Sequence, residues 1–203
     1  MNRRNLIIGA VLALAIVLPV GGLASSYNAL VSLDQTVESQ WAQVENAYQR
    51  RADLVPNLVA VVKGAAAHER ETLEAVTAAR SRIGGLQLPD GPRDPQAIQQ
   101  YEAAQNQLSS ALGRLIAVSE AYPQLRANEN FLALQSQLEG TENRITVERQ
   151  RFNDDARAFN TRRDTFPTVV FAGFLGERFK AKSYFTASVG AATAPKVDFP
   201  SAG

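Results

Sequence analysis

Leu6 to Ala24 is an uncharged run of nineteen residues directly behind Arg3 and Arg4, and it constrains where the rest of the chain can fold. At about 1.5 Å of rise per residue, a helix of that length nearly spans a hydrocarbon core roughly 30 Å thick. Secretory signal cores are usually about 7 to 15 residues long. An uncleaved anchor is therefore expected over a cleaved signal or a buried core helix, although Ala24, Ser25 and Ser26 are small enough for a cleavage site. Pro19, Gly21 and Gly22 loosen the end of the run, which a spanning helix tolerates. Asp34, Glu38 and Glu45 follow, with no Lys or Arg before Arg50. The positive-inside rule then puts the N-terminus in the cytoplasm and the bulk of the chain outside.

Composition removes several classes of function. Lys plus Arg number 21 against 20 Asp plus Glu, with no basic footprint for nucleic acid. There is no cysteine, hence no disulfide, thiolate chemistry or zinc ribbon. His68 is the single histidine. His68-Glu69 lacks the second ligand of H-E-x-x-H, because Thr72 stands four residues on. One histidine cannot build the paired Glu-x-x-His repeats of a di-iron bundle, and no nucleophile elbow is present to partner it in a triad. We expect no catalytic residue, metal or cofactor, and read His68 as a helix-face or partner-contact residue.

Past the anchor the apolar residues recur with helical spacing. Leu30, Leu33, Val37, Trp41, Val44 and Tyr48 form one stripe. Pro56 should kink or restart that helix, since proline lacks an N–H and crowds the carbonyl four residues back. The stripe resumes through Leu58, Val61, Val62, Ala65, Thr72, Val76 and Ala79 and stops at Gly84-Gly85. A loop rich in proline and glycine follows, with Asp94 placed to cap a third helix. That helix carries Ile98, Tyr101, Leu108, Leu112, Leu115 and Val118 and ends near Tyr122-Pro123.

The fourth segment has a strict register, with Phe131, Leu138, Ile145, Phe152, Phe159 and Phe166 at steps of seven. Its companion seam reads Gln135, Glu142, Arg149 and Ala156, so half of the usual coiled-coil interface is polar. Those groups either face water or pair inside with Arg50, Arg51, Asp53 or Glu120, where a buried ion network would need nearly complete hydrogen bonding. From Pro167 to about residue 187 an apolar and aromatic segment with Arg178, Lys180 and Lys182 either folds back over the open end of the bundle or lies on a membrane surface. Fold-back is the preferred reading. Residues 188–203 have the composition of a disordered tail.

These residues resemble the LemA family of bacterial membrane proteins from about Tyr27 to Phe185. The motifs are Tyr27-Asn28-Ala29-Leu30-Val31, Trp41-Ala42-Gln43-Val44-Glu45, the stretch from Tyr48 through Arg50-Arg51-Ala52-Asp53-Leu54-Val55-Pro56-Asn57 to Val59, and Val62-Lys63-Gly64. Further on come His68-Glu69, Ser119-Glu120-Ala121-Tyr122-Pro123, Gly140-Thr141-Glu142-Asn143-Arg144-Ile145, and Phe152-Asn153 with Phe159-Asn160. The resemblance implies an anchor followed by a long antiparallel bundle of about four helices. It implies no activity, cofactor or substrate, and through relatives associated with magnetosome membrane formation it points toward membrane shaping.

The expected architecture is all-α: a short basic N-terminus (1–5), a single-pass anchor (6–24) in a bacterial cytoplasmic membrane, a bundle (25–166), the apolar segment (167–187) and the tail (188–203). The expected function is a non-enzymatic scaffold or adaptor, contacting the lipid bilayer and either a second copy or another membrane protein through residues near Trp41, Tyr48 and His68. The alternative is a ligand-binding or enzymatic bundle in which Arg50, Arg51, Asp53, Asn57, Glu120, Glu142, Asn143, Arg144 and Asn153 converge on a polar pocket suited to a carboxylate or phosphate. The same residues could instead be a structural network around a bend at Pro56, with Asp53 and Asn57 bonding the backbone groups that proline frees.

Overall fold

A computed structural model describes residues 3–86, 94–174 and 176–186. The expected disordered tail, and the middle of the loop between the second and third helices, lie outside them. Most of the described residues are helical, with no strand among them. Helix α1 (Arg3–Ala65) carries the apolar span and then the whole first arm of the bundle without interruption. Then come α2 (Arg70–Gly84), α3 (Pro95–Ala121), a single turn α4 (Pro123–Arg126), the long α5 (Glu129–Asp164), a short α6 (Thr168–Ala172) and one 3-10 turn at Glu177–Phe179.

Each boundary after α1 has a local cause. Helix α2 ends at Gly84, with the Gly85 N–H turned back onto Ser81 and Arg82 carbonyls. Asp94 caps α3 by accepting the Gln96 N–H at 2.9 Å, with Pro95 in the first turn. Tyr122-Pro123 ends α3 as expected. Asn128, which the sequence reading passed over, caps α5 by accepting the Phe131 N–H at 3.1 Å.

The first helix departs from expectation at Pro56, where the chain does not restart. The carbonyl of Ala52, which loses its helical donor to the proline, accepts the Nε–H of Arg80 from α2 at 2.9 Å. Neither Asp53 nor Asn57 supplies that bond: both are exposed, and Asp53 accepts from Gln49 instead. The break comes ten residues later, at Ala66–Glu69, where the chain reverses to lay α2 against α1. We predict that Arg80→Met orphans the Ala52 carbonyl and lowers unfolding stability by about 1–3 kcal/mol. Adding Pro56→Ala should recover most of that loss by restoring the helical N–H. Denaturant unfolding of the four proteins decides it, and equal losses with and without the proline would show that the Arg80 bond does not compensate for Pro56.

Once past the span, α1 buries Leu30, Asp34, Val37, Trp41, Val44, Tyr48, Arg51, Val55, Leu58 and Val62, an unbroken alternation of four- and three-residue steps. That is the seam of a coiled-coil-like packing, and two of its ten positions are charged. Helix α3 repeats the pattern with Ile98, Tyr101, Gln105, Leu108, Leu112, Leu115 and Ser119; Val118 is only half-buried. On α5 the predicted register is buried from Phe131 through Phe159. Its last member, Phe166, is 80% exposed, because α5 ends at Asp164 and the register ends with it. The companion seam is also displaced: Thr141 and Glu148 take the buried positions, one residue before the expected Glu142 and Arg149, and the two patterns rejoin at Ala156.

Helices α1 and α5 pack antiparallel along the length of the bundle, and α2 packs on α3 and α1. The core divides accordingly. Away from the span, α1, α2, α3 and α5 enclose Val55, Leu58, Val76, Leu108, Leu115 and Phe131. Toward the span, Leu30, Val37, Trp41, Phe152 and Phe159 of α1 and α5 are joined by Phe179 and Phe185 from the C-terminal segment. That segment folds back over the open end, as preferred, and stands where α2 and the bulk of α3 do not reach.

Candidate functional site

Trp41 and Tyr48, expected on a partner-contact surface, are core residues at 5% and 2% exposure. The Trp41 ring stacks on Phe185 (5.6 Å, 9°) and meets Phe152 edge-on at 5.5 Å. Tyr48 meets Tyr101 edge-on at 5.4 Å, and burial pushes the Tyr101 hydroxyl up to about 12. His68 is exposed in the reversal between α1 and α2.

The polar residues picked from the sequence do not converge on one pocket. Arg50, Asp53, Asn57, Glu120, Asn143 and Arg144 are exposed. Arg51 and Glu142 do meet, at 2.6 Å. Arg51 is 2% exposed and also donates to Ser109 Oγ at 2.6 Å and to the side chain and backbone carbonyls of Gln105. Its guanidinium lies 5.2 Å from the centre of the Tyr48 ring. The other charged member of the expected seam is paired too, since Arg149 binds Glu102 at 2.5 Å. Both join inward pairs: Glu142 meets Arg51, one of the inside partners the sequence offers, while Ser109 beside it and Glu102, the partner of Arg149, come from α3, which no periodicity on α5 could have named. Nearby, Glu148 at 3% exposure accepts from Gln40 at 2.8 Å and is flanked by Arg144 and Arg151. The Gln40 bond and those arginines hold its carboxyl below the usual range.

The most enclosed charges sit nearer the span and were missed altogether. Asp34 of α1 and Lys182 of the C-terminal segment pair at 2.5 Å with both side chains fully buried, and Arg178 reaches the other carboxylate oxygen at 2.7 Å. Burial pushes the Asp34 carboxyl up, but the bonds and charges of Lys182 and Arg178 outweigh it and hold the group below its ordinary value. Asp34 was passed over because an apolar stripe was drawn through Leu33, its half-buried neighbour.

The C-terminal segment is also held by its backbone. Asn153 donates to the Phe185 carbonyl and accepts its N–H, both at 2.9 Å. Asn160 does the same to Lys182, at 2.9 and 2.8 Å. Seven residues of helix and three of extended chain both advance about 10 Å, so two asparagines one heptad apart grip an extended strap at matching intervals. The paired Phe-Asn motifs thus divide their work: Phe152 and Phe159 face the core while each following Asn holds the strap. Gly176 starts the strap at φ 81°, ψ −172°, a conformation open essentially to glycine. Asn160→Ala should expose the Lys182 amide, and Asn153→Ala that of Phe185, each at a cost of about 1–3 kcal/mol. Hydrogen exchange on the full chain reads this out, and unchanged protection of residues 182–186 would show that the asparagines do not hold the strap.

Such an arrangement links helices and closes an end. Among the described residues no group of His, Asp or Glu could hold a metal ion. A cleft beside Ala52, lined by Glu45, Gln49, Arg80, Ser81 and Tyr101, contains the arginine that already serves the helix backbone. Fold and polar core together define an antiparallel helical bundle that continues from an apolar N-terminal span and is closed at that end by a clamped C-terminal strap. The chain belongs to the LemA family, whose family model matches residues 40–199. It is 26% identical over 193 residues to the magnetosome protein MamQ of Magnetospirillum gryphiswaldense, covering 87% of this chain and 70% of that protein. It is 25% identical over 191 residues to MamQ 1 and MamQ 2 of Paramagnetospirillum magneticum, covering 85% of this chain and 69% of each.

Proposed function

We propose that this protein is a non-enzymatic, membrane-anchored scaffold or adaptor that self-associates or holds a membrane-protein partner in the service of membrane organisation. The observation that carries the reading is the continuity of α1. The same helix that is long and apolar enough to cross a bilayer supplies the entire first seam of the bundle. At the junction Ser26 accepts from Arg162 of α5 at 3.0 Å and Tyr27 packs edge-on against Phe179 of the strap. The bundle is therefore a stiff extension of the anchor, about 60 Å long from Ser26 to Ala65 by helical rise. Such a post suits presenting an exposed surface at a fixed height. The magnetosome relatives support work at a membrane.

In-cell crosslinking of the anchored protein with partner identification tests the reading. We expect multimers of the chain or adducts with another membrane protein. A strictly monomeric detergent-solubilised protein at every concentration, with no adduct in cells, would defeat it. The N-terminus faces the cytoplasm in this scheme and the bundle the outside of the cytoplasmic membrane. A cysteine placed by Val147→Cys should accordingly react with an impermeant maleimide in intact spheroplasts, and protection until lysis would reverse the orientation.

A further inference from the structure

Four large apolar side chains between α5 and the strap face away from the bundle: Phe166 at 80% exposure, Val169 at 50%, Val170 at 64% and Phe174 at 90%. The same segment turns Thr168 and Ala172 inward, at 0% and 5%, and packs on α5 and α1. The four residues therefore form an outward ledge on an element that is itself docked. Its height follows from the antiparallel pairing of α5 with α1. Gln40 bonds Glu148, and further down Ser26 bonds Arg162. The chain beyond Arg162 is thus directed at the level of Ala24, where the apolar span ends. Around it, Leu23 and Tyr27 of α1 are also exposed, at 44% and 41%.

We infer that the ledge formed by Phe166, Val169, Val170 and Phe174 is a second membrane contact, seated in the interfacial layer of the bilayer that α1 spans. The inference rests on the anchored reading above. The occupant is lipid because the ledge stands at the height where the exposed apolar span ends, and apolar and aromatic side chains at that depth partition into the headgroup and acyl boundary. Two points of attachment, one spanning and one interfacial, would fix the tilt of the bundle, which a single helix leaves free.

The chain lacks cysteine, so one environment-sensitive fluorophore can be placed by Leu14→Cys, Val147→Cys, Val170→Cys or Phe174→Cys. The full-length labelled proteins are reconstituted into phosphatidylcholine vesicles carrying bromine either near the headgroup or near the acyl-chain end. The label at 14, in mid-span, should be quenched most by bromine near the chain end. Labels at 170 and 174 should be quenched most by bromine near the headgroup, and the label at 147, on the bundle wall, by neither. Labels at 170 and 174 that match 147 while 14 is quenched would overturn the ledge and leave the anchor standing. Labels at 170 and 174 that escape quenching at every protein density, while the unlabelled cysteines crosslink to a second copy, would overturn it too, by seating a second copy on that face. Loss of quenching at 14 would remove the anchored reading and the ledge with it.

Discussion

Replacing Asp34 with alanine should cost about 3–5 kcal/mol of folding stability, because it leaves the ammonium of a fully buried Lys182 without its carboxylate. Arg178, 42% exposed, can turn to water, whereas Lys182 must either lose its proton or leave the core and take the strap along. Trp41, the single tryptophan, stacks directly on Phe185 of that strap, so its fluorescence reports undocking separately from global unfolding. Adding Lys182→Met to Asp34→Ala should return much of the loss, since a buried pair replaced by apolar groups is often no worse than the pair itself. A loss below about 1 kcal/mol in the single variant would mean that water reaches the pair and that it does not hold the strap.

The same pair sets an acid limit. Asp34 has a folded pKa below its unfolded one, so its contribution is complete above the unfolded value, near about 3.9, and is lost as pH falls through the lower folded value. Strap undocking read by Trp41 should therefore begin in the native protein below about pH 4. In the Asp34→Ala, Lys182→Met protein that step should be absent, and a persisting acid step would assign it to another carboxylate such as Glu148, whose value is also held low.

Phe152→Ala should be comparably damaging, at about 3–5 kcal/mol. Phe152 is completely buried and meets both Trp41 and Phe185 edge-on, at 5.5 and 5.3 Å. Its deletion empties the place where α1, α5 and the strap converge. Phe166→Ala, two heptads along the same register, should change stability by less than about 0.5 kcal/mol, because a largely exposed side chain leaves no cavity. Thermal or urea unfolding of the two variants side by side tests the assignment. Similar losses in both would place Phe166 in a packed environment and contradict its exposure.

These two sites also mark how far the sequence could be read. Phe152 was legible because a heptad of large apolar residues has one physical meaning on a helix, and the burial of Phe131, Leu138, Ile145, Phe152 and Phe159 follows from it. The stops at Gly84 and Tyr122-Pro123 and the Asp94 cap were legible as local backbone chemistry. Asp34 was not, and Arg51 was legible only as one of several inside partners for the polar α5 seam, not as a member of the α1 seam. Both occupy seam positions, but an apolar periodicity skips charged residues, so the stripe runs through Leu33 in place of Asp34 and passes over Arg51. The stripe on α5 failed similarly at Glu148, and the register was extended to Phe166, beyond the end of its helix. Pro56 carried a correct local statement, a freed carbonyl, while the group that satisfies it stands 28 residues from that carbonyl on another helix.

The sequence by itself determined the apolar span, most of the helix boundaries and the faces the large hydrophobes would bury, since each depends on neighbours within a few turns. Tertiary structure alone decided that Asp34 meets Lys182, that Arg51 meets Gln105 and Glu142, that Arg80 repairs the backbone at Pro56, and that the strap closes the anchored end. Each of those partnerships joins separate elements through their relative register. A buried charge can be tolerated at a seam position only when that register brings its partner within bonding distance, and no single helix carries the information.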